Sequence, residues 1–547
     1  MVIVYRVHKR RVLNLASVLV LSAVVLYLVP RLPRRKSPLP YQQPAHSYFH
    51  TYPDSNRYIG EDIWRPPPDR LGPAVVVNRG QQSDSPVKFR QPIAQDYPEN
   101  ADKVMIMIKT GENTMWDRLP IHFLTTLTRF PNFAIYSDSA GSIGGYEVID
   151  ILDHAPDDVL MSDNFEMYRQ MLASRKDHSM PWQSDADLGR GWTLDKYKNI
   201  LMLYHTYKSA PELDWYVMID DDTALLADNL MAFLAIMNPA MPLYTGSAVA
   251  GLEHIFAHGG SGIVLSNEIL RKVFDRDDAD ELVANYTRRA HDECCGDYMI
   301  AVFLREVIDY EMDFRAPHAR FQGEALWDVP AGPINWCQPI VTLHHVTPRE
   351  HEIMWEYERI KKDRGIVGGE ILYRDLYNDF FKPYLGRQLR QGWDNGAKEV
   401  EFSLFTDTDP DSDADSKPYA SVDKCILECN GRADCLMLRY DDYRQYCGLS
   451  TSVSYGRPIK DYREYDDHVH ELRVEKGLEA GRRDDQKMVS LWYIERIRSM
   501  RAAQWCDVLH KDRQAEGKEN GPYDQTEGWW HRAQHRYKIN VRQNLVH

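Results

Sequence analysis

A chain of 547 residues exceeds what one hydrophobic core can serve, so two or three domains are expected. Hydrophobic residues at 43% and charged residues at 27% are ordinary for a globular protein. A formal net charge of −15 argues against general nucleic-acid binding, so an anionic ligand must be held locally, by a metal or a few basic side chains.

Residues 12–29 form an apolar run without charge, just long enough to span a bilayer. Arg6, Lys9, Arg10 and Arg11 precede it and Arg31, Arg34, Arg35 and Lys36 follow it, so flanking charge does not orient it. A cleaved signal peptide is the alternative, but Pro30-Arg31-Leu32-Pro33 follows where a small-x-small cleavage site is needed. The run therefore reads as an uncleaved signal anchor behind a cytosolic tail of residues 1–11. Residues 30–100 are rich in Pro, Arg, Gln, Ser and Asp and include Pro-Pro-Pro at 66–68, which suits an extended stem.

The first core strand is expected over 103–109, followed by helical sequence from Arg118 to Thr128. Strands follow at 133–136, ending at Ser137-Asp138, and at 146–150. Leu194, Tyr197, Ile200, Leu201 and Tyr204 recur at helical spacing and lead into Leu213-Asp-Trp-Tyr-Val-Met-Ile-Asp-Asp-Asp222. Strands alternating with helices imply a mostly parallel sheet covered on both faces, with ligands beyond the carboxyl ends of the strands.

The run into Asp220, Asp221 and Asp222 carries the most chemistry. Three adjacent carboxylates repel one another unless a cation sits among them, and oxygen ligands at a strand end suit Mg²⁺ or Mn²⁺. Downstream come a Gly-rich turn, His258-Gly259-Gly260-Ser261-Gly262, and Cys294-Cys295-Gly296-Asp297 opening a helical run from Tyr298 to Val307. The polar turn Phe321-Gln322-Gly323-Glu324 and a strand with two adjacent histidines, His344 and His345, complete the series. Side chains alternate along a strand, so only one of these histidines is expected to enter a given site.

Eight cysteines are present, and Cys425, Cys429, Cys435 and Cys447 fall close together. Such density suits a small disulfide-stapled module in an oxidising compartment and puts the bulk of the chain in the secretory lumen. Zinc is the competing reading of these four, and their three possible pairings stay open, as does pairing among Cys294, Cys295, Cys337 and Cys506. The sequon Asn285-Tyr286-Thr287 is compatible with the lumen. Residues 401–417 form an acidic linker in which alternating aspartates admit a calcium loop. Residues 511–547 read as an irregular tail.

The order of strand, acidic triplet, Gly-rich turn, Gly-Asp helix start and His strand resembles glycosyltransferase family 31, the Fringe and β1,3-glycosyltransferase group, in its fungal branch. The resemblance covers about 100–385 and rests on Trp-Tyr-Val-Met-Ile-Asp-Asp-Asp-Thr, His-Gly-Gly-Ser-Gly and Cys-Cys-Gly-Asp. The His-His-Val-Thr-Pro stretch is similar to a core 1 galactosyltransferase pattern. Residues 418–510 resemble a PAN/Apple module, and Trp-Tyr-Ile-Glu-Arg-Ile near 492 fits the same group.

The resemblance implies an α/β GT-A fold, a Rossmann-like mixed sheet that binds nucleotide sugar, over 101–400, with a small α+β PAN-like domain after it. It implies Asp222 as direct metal ligand, Asp220 reaching metal-bound water or ribose, and His344 as the metal histidine with His345 as fallback. Lys109, Asp138 and Asp221 would line the nucleotide pocket, and Gly259, Gly260 and Gly262 would lie against donor sugar and acceptor. Asp297 aligns with the family's catalytic base, while Gly296 replaces the first acid of that motif and leaves Asp292 and Glu293 as alternatives. The implied activity is metal-dependent, inverting transfer from a UDP-sugar to a glycan or glycoprotein hydroxyl, with Mn²⁺ or Mg²⁺, on the Golgi or ER membrane. Two alternatives are a non-catalytic chaperone or glycan-binding relative and an adhesion protein acting through the cysteine module. The chain lacks a phosphate-cradling loop ending in Lys-Ser/Thr, which disfavours a phosphotransferase.

Overall fold

The computed structural model describes residues 96–176, 185–250, 252–312, 320–363, 370–386, 388–405, 407, 416–459 and 488–502. All of them belong to one unit of the chain, Asp62–His547. The anchor run, most of the stem and acidic stretch, Cys506 and the tail lie outside the described residues. Among the described residues no helix is long and apolar enough to cross a membrane.

The central sheet is built on β1 (Val104–Lys109), β2 (Asn132–Ser137), β3 (Gly141–Ile143), β4 (Tyr146–Asp150) and β5 (Trp215–Asp220). Here β1 pairs in parallel with both β2 and β5, and β2 with β4. Short β6 (Ala224–Leu225) follows the triplet, then β7 (Tyr244–Gly246), the paired β8 (Ala248–Val249) and β9 (Phe256–Ala257), and β10 (Ile263–Ser266). Strand β10 pairs antiparallel with β5 and β7 antiparallel with β10, so the sheet's order is β3-β4-β2-β1-β5-β10-β7. This seven-stranded mixed sheet in an α/β arrangement fits the GT-A-like fold expected above.

Alternation explains why the two central strands read as unbroken apolar runs. Met105, Met107, Tyr216 and Met218 enter one core, while Val104, Ile106, Ile108, Val217 and Ile219 enter the other. Each buried side chain of this kind contributes about 1.5–3 kcal/mol. The first core lies under the long helix α3 (Asp185–Ser209) with α5 (Asn267–Phe274), α6 (Ala279–Arg289) and α7 (Gly296–Ile308). The second lies under α1 (Met115–Arg118), α2 (Pro120–Leu124) and α4 (Ala227–Leu234). The expected single helix over 118–128 is instead two short helices and a 3₁₀ turn. Pro120 sits at the first turn of α2, and Thr125 leaves helical backbone geometry (φ −128°, ψ −94°).

A third core joins β6, β11 (Thr342–Leu343) and α8 (Pro348–Asp363) to a second sheet. That sheet contains β12 (Leu389–Gln391), β14 (Val400–Ser403), β15 (Met437–Asp441), β16 (Tyr446–Ser450) and β18 (Met488–Trp492), in the order β12-β18-β15-β16-β14. The pair β13 (Trp393–Asp394) and β17 (Arg457–Pro458) lies beside it. Two of its strands come from 389–403, ahead of the acidic stretch, so the second layer starts earlier than position 418. Helix α9 (Val422–Gly431) is stapled to it by Cys425–Cys447 and Cys429–Cys435, and α10 (Ile494–Ala502) ends the described chain. All four cysteines are thus used in disulfides, which removes the zinc alternative. Cys337 is disulfide-bonded too, and Cys294 pairs with its neighbour Cys295. Asn285 is exposed on α6.

Candidate active site

The parallel register of β1 and β5 sets Lys109 beside Asp220 at the carboxyl end of the sheet. From there the triplet fans out. Asp220 Oδ1 lies 3.3 Å from Lys109 Nζ. Burial pushes the Asp220 carboxyl up to about 6 despite Lys109. Asp221 turns into the protein: Thr110 and Thr114 hydroxyls each donate to its Oδ2 at 2.6 Å, and Arg118 Nη1 donates to Oδ1 at 3.2 Å. His122 Nε2 donates to its backbone carbonyl. Asp221 therefore holds the loop between β1 and α1 against the strand end.

Asp222 faces the histidines. Strand β11 pairs antiparallel with β6, Leu343 opposite Ala224, which carries His344 to the triplet. His344 Nε2 is 3.2 Å from Asp222 Oδ1 and His345 Nδ1 is 3.7 Å from Oδ2. The expectation that only one histidine enters the site is overturned. The strand stops at Leu343, and His345 adopts a left-handed backbone (φ 56°) that swings its ring onto that of His344, centroids 3.7 Å apart. One ligand atom each of Asp222, His344 and His345 lies within 4.8 Å of the others. Asp220 stands apart from this cluster, on the Lys109 side.

A carboxylate and two imidazoles form a mixed oxygen and nitrogen donor set, which fits Mn²⁺ better than the all-oxygen preference of Mg²⁺. Burial opposes the Asp222 charge, but hydrogen bonds from His344 and His345 and the nearby Arg118 hold its carboxyl far below the usual range. Arg118 Nη1 bridges Asp221 and Asp222 from the solvent side.

The Gly-rich turn is the floor between this cluster and Asp297. A methyl group on Gly260 would lie 2.1 Å from His344 Cε1, so only glycine lets the ring pack there. Gly262 has φ +88°, and its N–H donates to the Gly259 carbonyl at 2.9 Å. The Gly259 N–H donates to Asp297 Oδ2 at 2.8 Å, while Asp297 Oδ1 accepts from the Tyr298 N–H. Asp297 thus occupies the first turn of α7, facing the turn. Asp292 is exposed, and Glu293 pairs with Arg289 at 3.5 Å, so neither makes this contact. The glycine at 296 has a packing cause: a methyl there would lie 2.9 Å from the Lys196 carbonyl and 3.0 Å from Asn199.

A second charged ring surrounds the Lys109 side of the site. Lys109 Nζ donates to Asp195 Oδ2 at 2.6 Å, and Lys198 Nζ donates to Asp138 Oδ2 at 3.1 Å and to the Thr110 carbonyl. Glu112 N–H donates to Asp138 Oδ1. Burial works against the Lys109 ammonium, but Asp195 and Asp220 more than offset it and hold its titration well above the ordinary lysine value. Asp195 and Lys198 belong to no motif. Their only sequence signal is that they interrupt the apolar spacing of α3 on the side facing β1. His258 also enters the site: its ring is 5.5 Å from that of His344, and burial pushes its titration below the usual histidine value.

Lys109, Asp220, Asp222, Gly259, Gly260, Gly262, Asp297 and His344 thus converge around the carboxyl end of the two central strands, with Asp138 one layer out and Asp221 turned inward. Residues 191–312, from α3 through the triplet and the Gly-rich turn to the helix of Asp297, match the family model described as Fringe-like, which supports a Fringe-like glycosyltransferase.

Proposed function

We propose that this protein is a metal-dependent, inverting glycosyltransferase that moves a sugar from a UDP-sugar to a hydroxyl of a glycan or glycoprotein. The observation that carries the reading is the pairing of two chemistries across one glycine turn. Asp222, His344 and His345 lie on one side of Gly259–Gly262 and a half-buried carboxylate, Asp297, on the other.

A divalent cation held by Asp222, His344 and His345 would supply positive charge for the departing diphosphate. Lys109 and Asp220 would frame the donor, with Asp195, Lys198 and Asp138 fixing their positions. Asp297 accepts the proton of the acceptor hydroxyl. The hydroxyl oxygen bonds to the anomeric carbon as the bond from that carbon to the diphosphate oxygen breaks, and UDP leaves. A single displacement inverts the centre, so an α-linked donor yields a β-glycoside. No second nucleophile is required.

The apolar run at 12–29 and the cysteine density support a type II anchor with the catalytic part in the Golgi or ER lumen. Two disulfides within 425–447 support a PAN/Apple-like reading of that segment.

Calorimetric titration of UDP into the full-length protein, with and without Mn²⁺, tests the proposal. Metal-dependent binding, followed by release of UDP from one member of a UDP-sugar panel, is the expected result. Binding without turnover would favour a non-catalytic relative, and no binding would sink the transferase reading.

A further inference from the structure

The Cys294–Cys295 disulfide joins adjacent residues and so closes a small ring through the peptide bond between them. Cys295 is also the residue that starts α7, and its side chain caps nothing. The helix leaves this ring directly into Gly296 and Asp297. The loop ahead of the ring is held by Lys196, whose Nζ donates to the carbonyls of His291 and Glu293 at 2.7 and 3.0 Å. Behind the ring, Gly296 is pressed onto the α3 backbone too closely for any side chain. The ring therefore bridges two fixed points, and the first free side chain after it is Asp297, whose Oδ2 receives the Gly259 N–H.

We infer that the Cys294–Cys295 disulfide is a positioning element for the base: it fixes the exit direction of α7 so that Asp297 meets the Gly259 turn. This rests on the transferase reading for the role of Asp297, but not for the brace itself. Opening the ring frees rotation about its backbone bonds, and a carboxylate displaced by even 1 Å loses much of its catalytic advantage. The bond is accessible, because Cys294 is exposed, whereas Cys425, Cys429, Cys435 and Cys447 are at most 2% exposed.

A water-soluble phosphine reduces the bond selectively. The disulfide gains two electrons and two protons to give two thiols, and the phosphine takes the oxygen of water to become its oxide. Hydrogen exchange of the full-length protein is then followed in peptides covering 256–262 and 296–300. Both are expected to lose protection together, while 215–222 does not change. The response should be absent in Cys294→Ser/Cys295→Ser and retained in Cys337→Ser, which removes a different disulfide. Hydrolysis of a turned-over UDP-sugar should fall in kcat by about 100-fold, the scale of one general base, with KM for donor and UDP affinity unchanged. Unchanged protection at 256–262 on reduction, or a response that persists in the double variant, overturns the brace. Joint loss of protection in a protein that binds no UDP with Mn²⁺ would keep the brace and sink the transferase reading instead.

Discussion

Asp222 Oδ1 and His344 Nε2 approach to 3.2 Å at the meeting of β6 and β11, two strands of two residues each. So short a ladder holds little by itself, and its geometry depends on what surrounds it. Asp222→Asn should weaken Mn²⁺ affinity by at least the roughly 10–100-fold that loss of an outer hydrogen-bond partner already costs. His344→Ala should do the same, and His345→Ala, whose ring is 61% exposed, should do less. Equal loss from all three, measured by Mn²⁺ titration calorimetry, supports three equivalent ligands; no loss from any removes the metal site.

Gly260 offers a test that leaves every donor atom in place. A methyl there meets the His344 ring inside contact distance, so Gly260→Ala must rotate or expel the imidazole. Mn²⁺ binding should drop about as far as in His344→Ala, while the melting temperature falls less than for a core truncation of about 2–5 kcal/mol. Unchanged metal affinity would mean that the ring is not confined as described.

Asp297→Asn keeps the shape of the side chain and an acceptor for the Gly259 N–H, but not the base. Turnover is expected to fall by about 10²–10⁴-fold with UDP affinity intact. A variant that loses UDP binding in parallel would give Asp297 a donor-binding role instead.

The Lys198–Asp138 pair is buried, with both side chains under 10% exposed. Lys198→Met leaves the Asp138 carboxylate without its cation and should cost about 3 kcal/mol, the scale for breaking a buried pair. Adding Asp138→Asn should return much of that loss. Denaturant unfolding of the two single variants and the double variant measures the coupling, and simple additivity would show that the pair does not interact.

Glu358 gives a pH signature away from the metal. Burial, and then the nearby Asp228, push its carboxyl up to about 7 against an ordinary 4.5, with Arg129 opposing. The folded state therefore holds a proton that the unfolded state has already released between these values. Stability contributed by this group is full below pH 4.5 and declines as pH rises toward 7, by up to about 3 kcal/mol. Glu358→Gln should flatten that slope. An identical pH profile for variant and wild type, by urea unfolding from pH 5 to 8, would show that Glu358 titrates normally.

The apolar run of β5 and the carboxylates at its end are legible in the sequence because a strand buried on both faces leaves no polar interruption until it stops. Asp195 and Lys198 are not, since neither falls on the apolar spacing of Leu194, Tyr197, Ile200, Leu201 and Tyr204 that marks the core face of the helix. Only the approach of α3 to the end of β1 turns those residues into partners of Lys109 and Asp138. His345 misleads for a local reason, a single left-handed backbone that no periodicity announces. Strands β12 and β14 escape notice because they lie at the two edges of the second sheet and contain exposed or half-buried residues, Leu389, Arg390, Gln391 and Glu401 among them.

Strand β18 is inserted between β12 and β15, and Trp492 at its end is fully buried in the core shared with Leu343 and Val346, the neighbours of the two histidines. Synthesis runs from the amino terminus, so the ribosome delivers the histidine strand long before it delivers the segment that backs it. The emerging chain must wait, with a gap in its second sheet, until residue 492 has cleared the exit tunnel. A premature stop between residues 346 and 488 would yield a polypeptide that holds every residue of the proposed chemistry and still lacks the wall behind them. The carboxyl-terminal layer thereby ties the packing behind the histidine strand to having been translated nearly to the end.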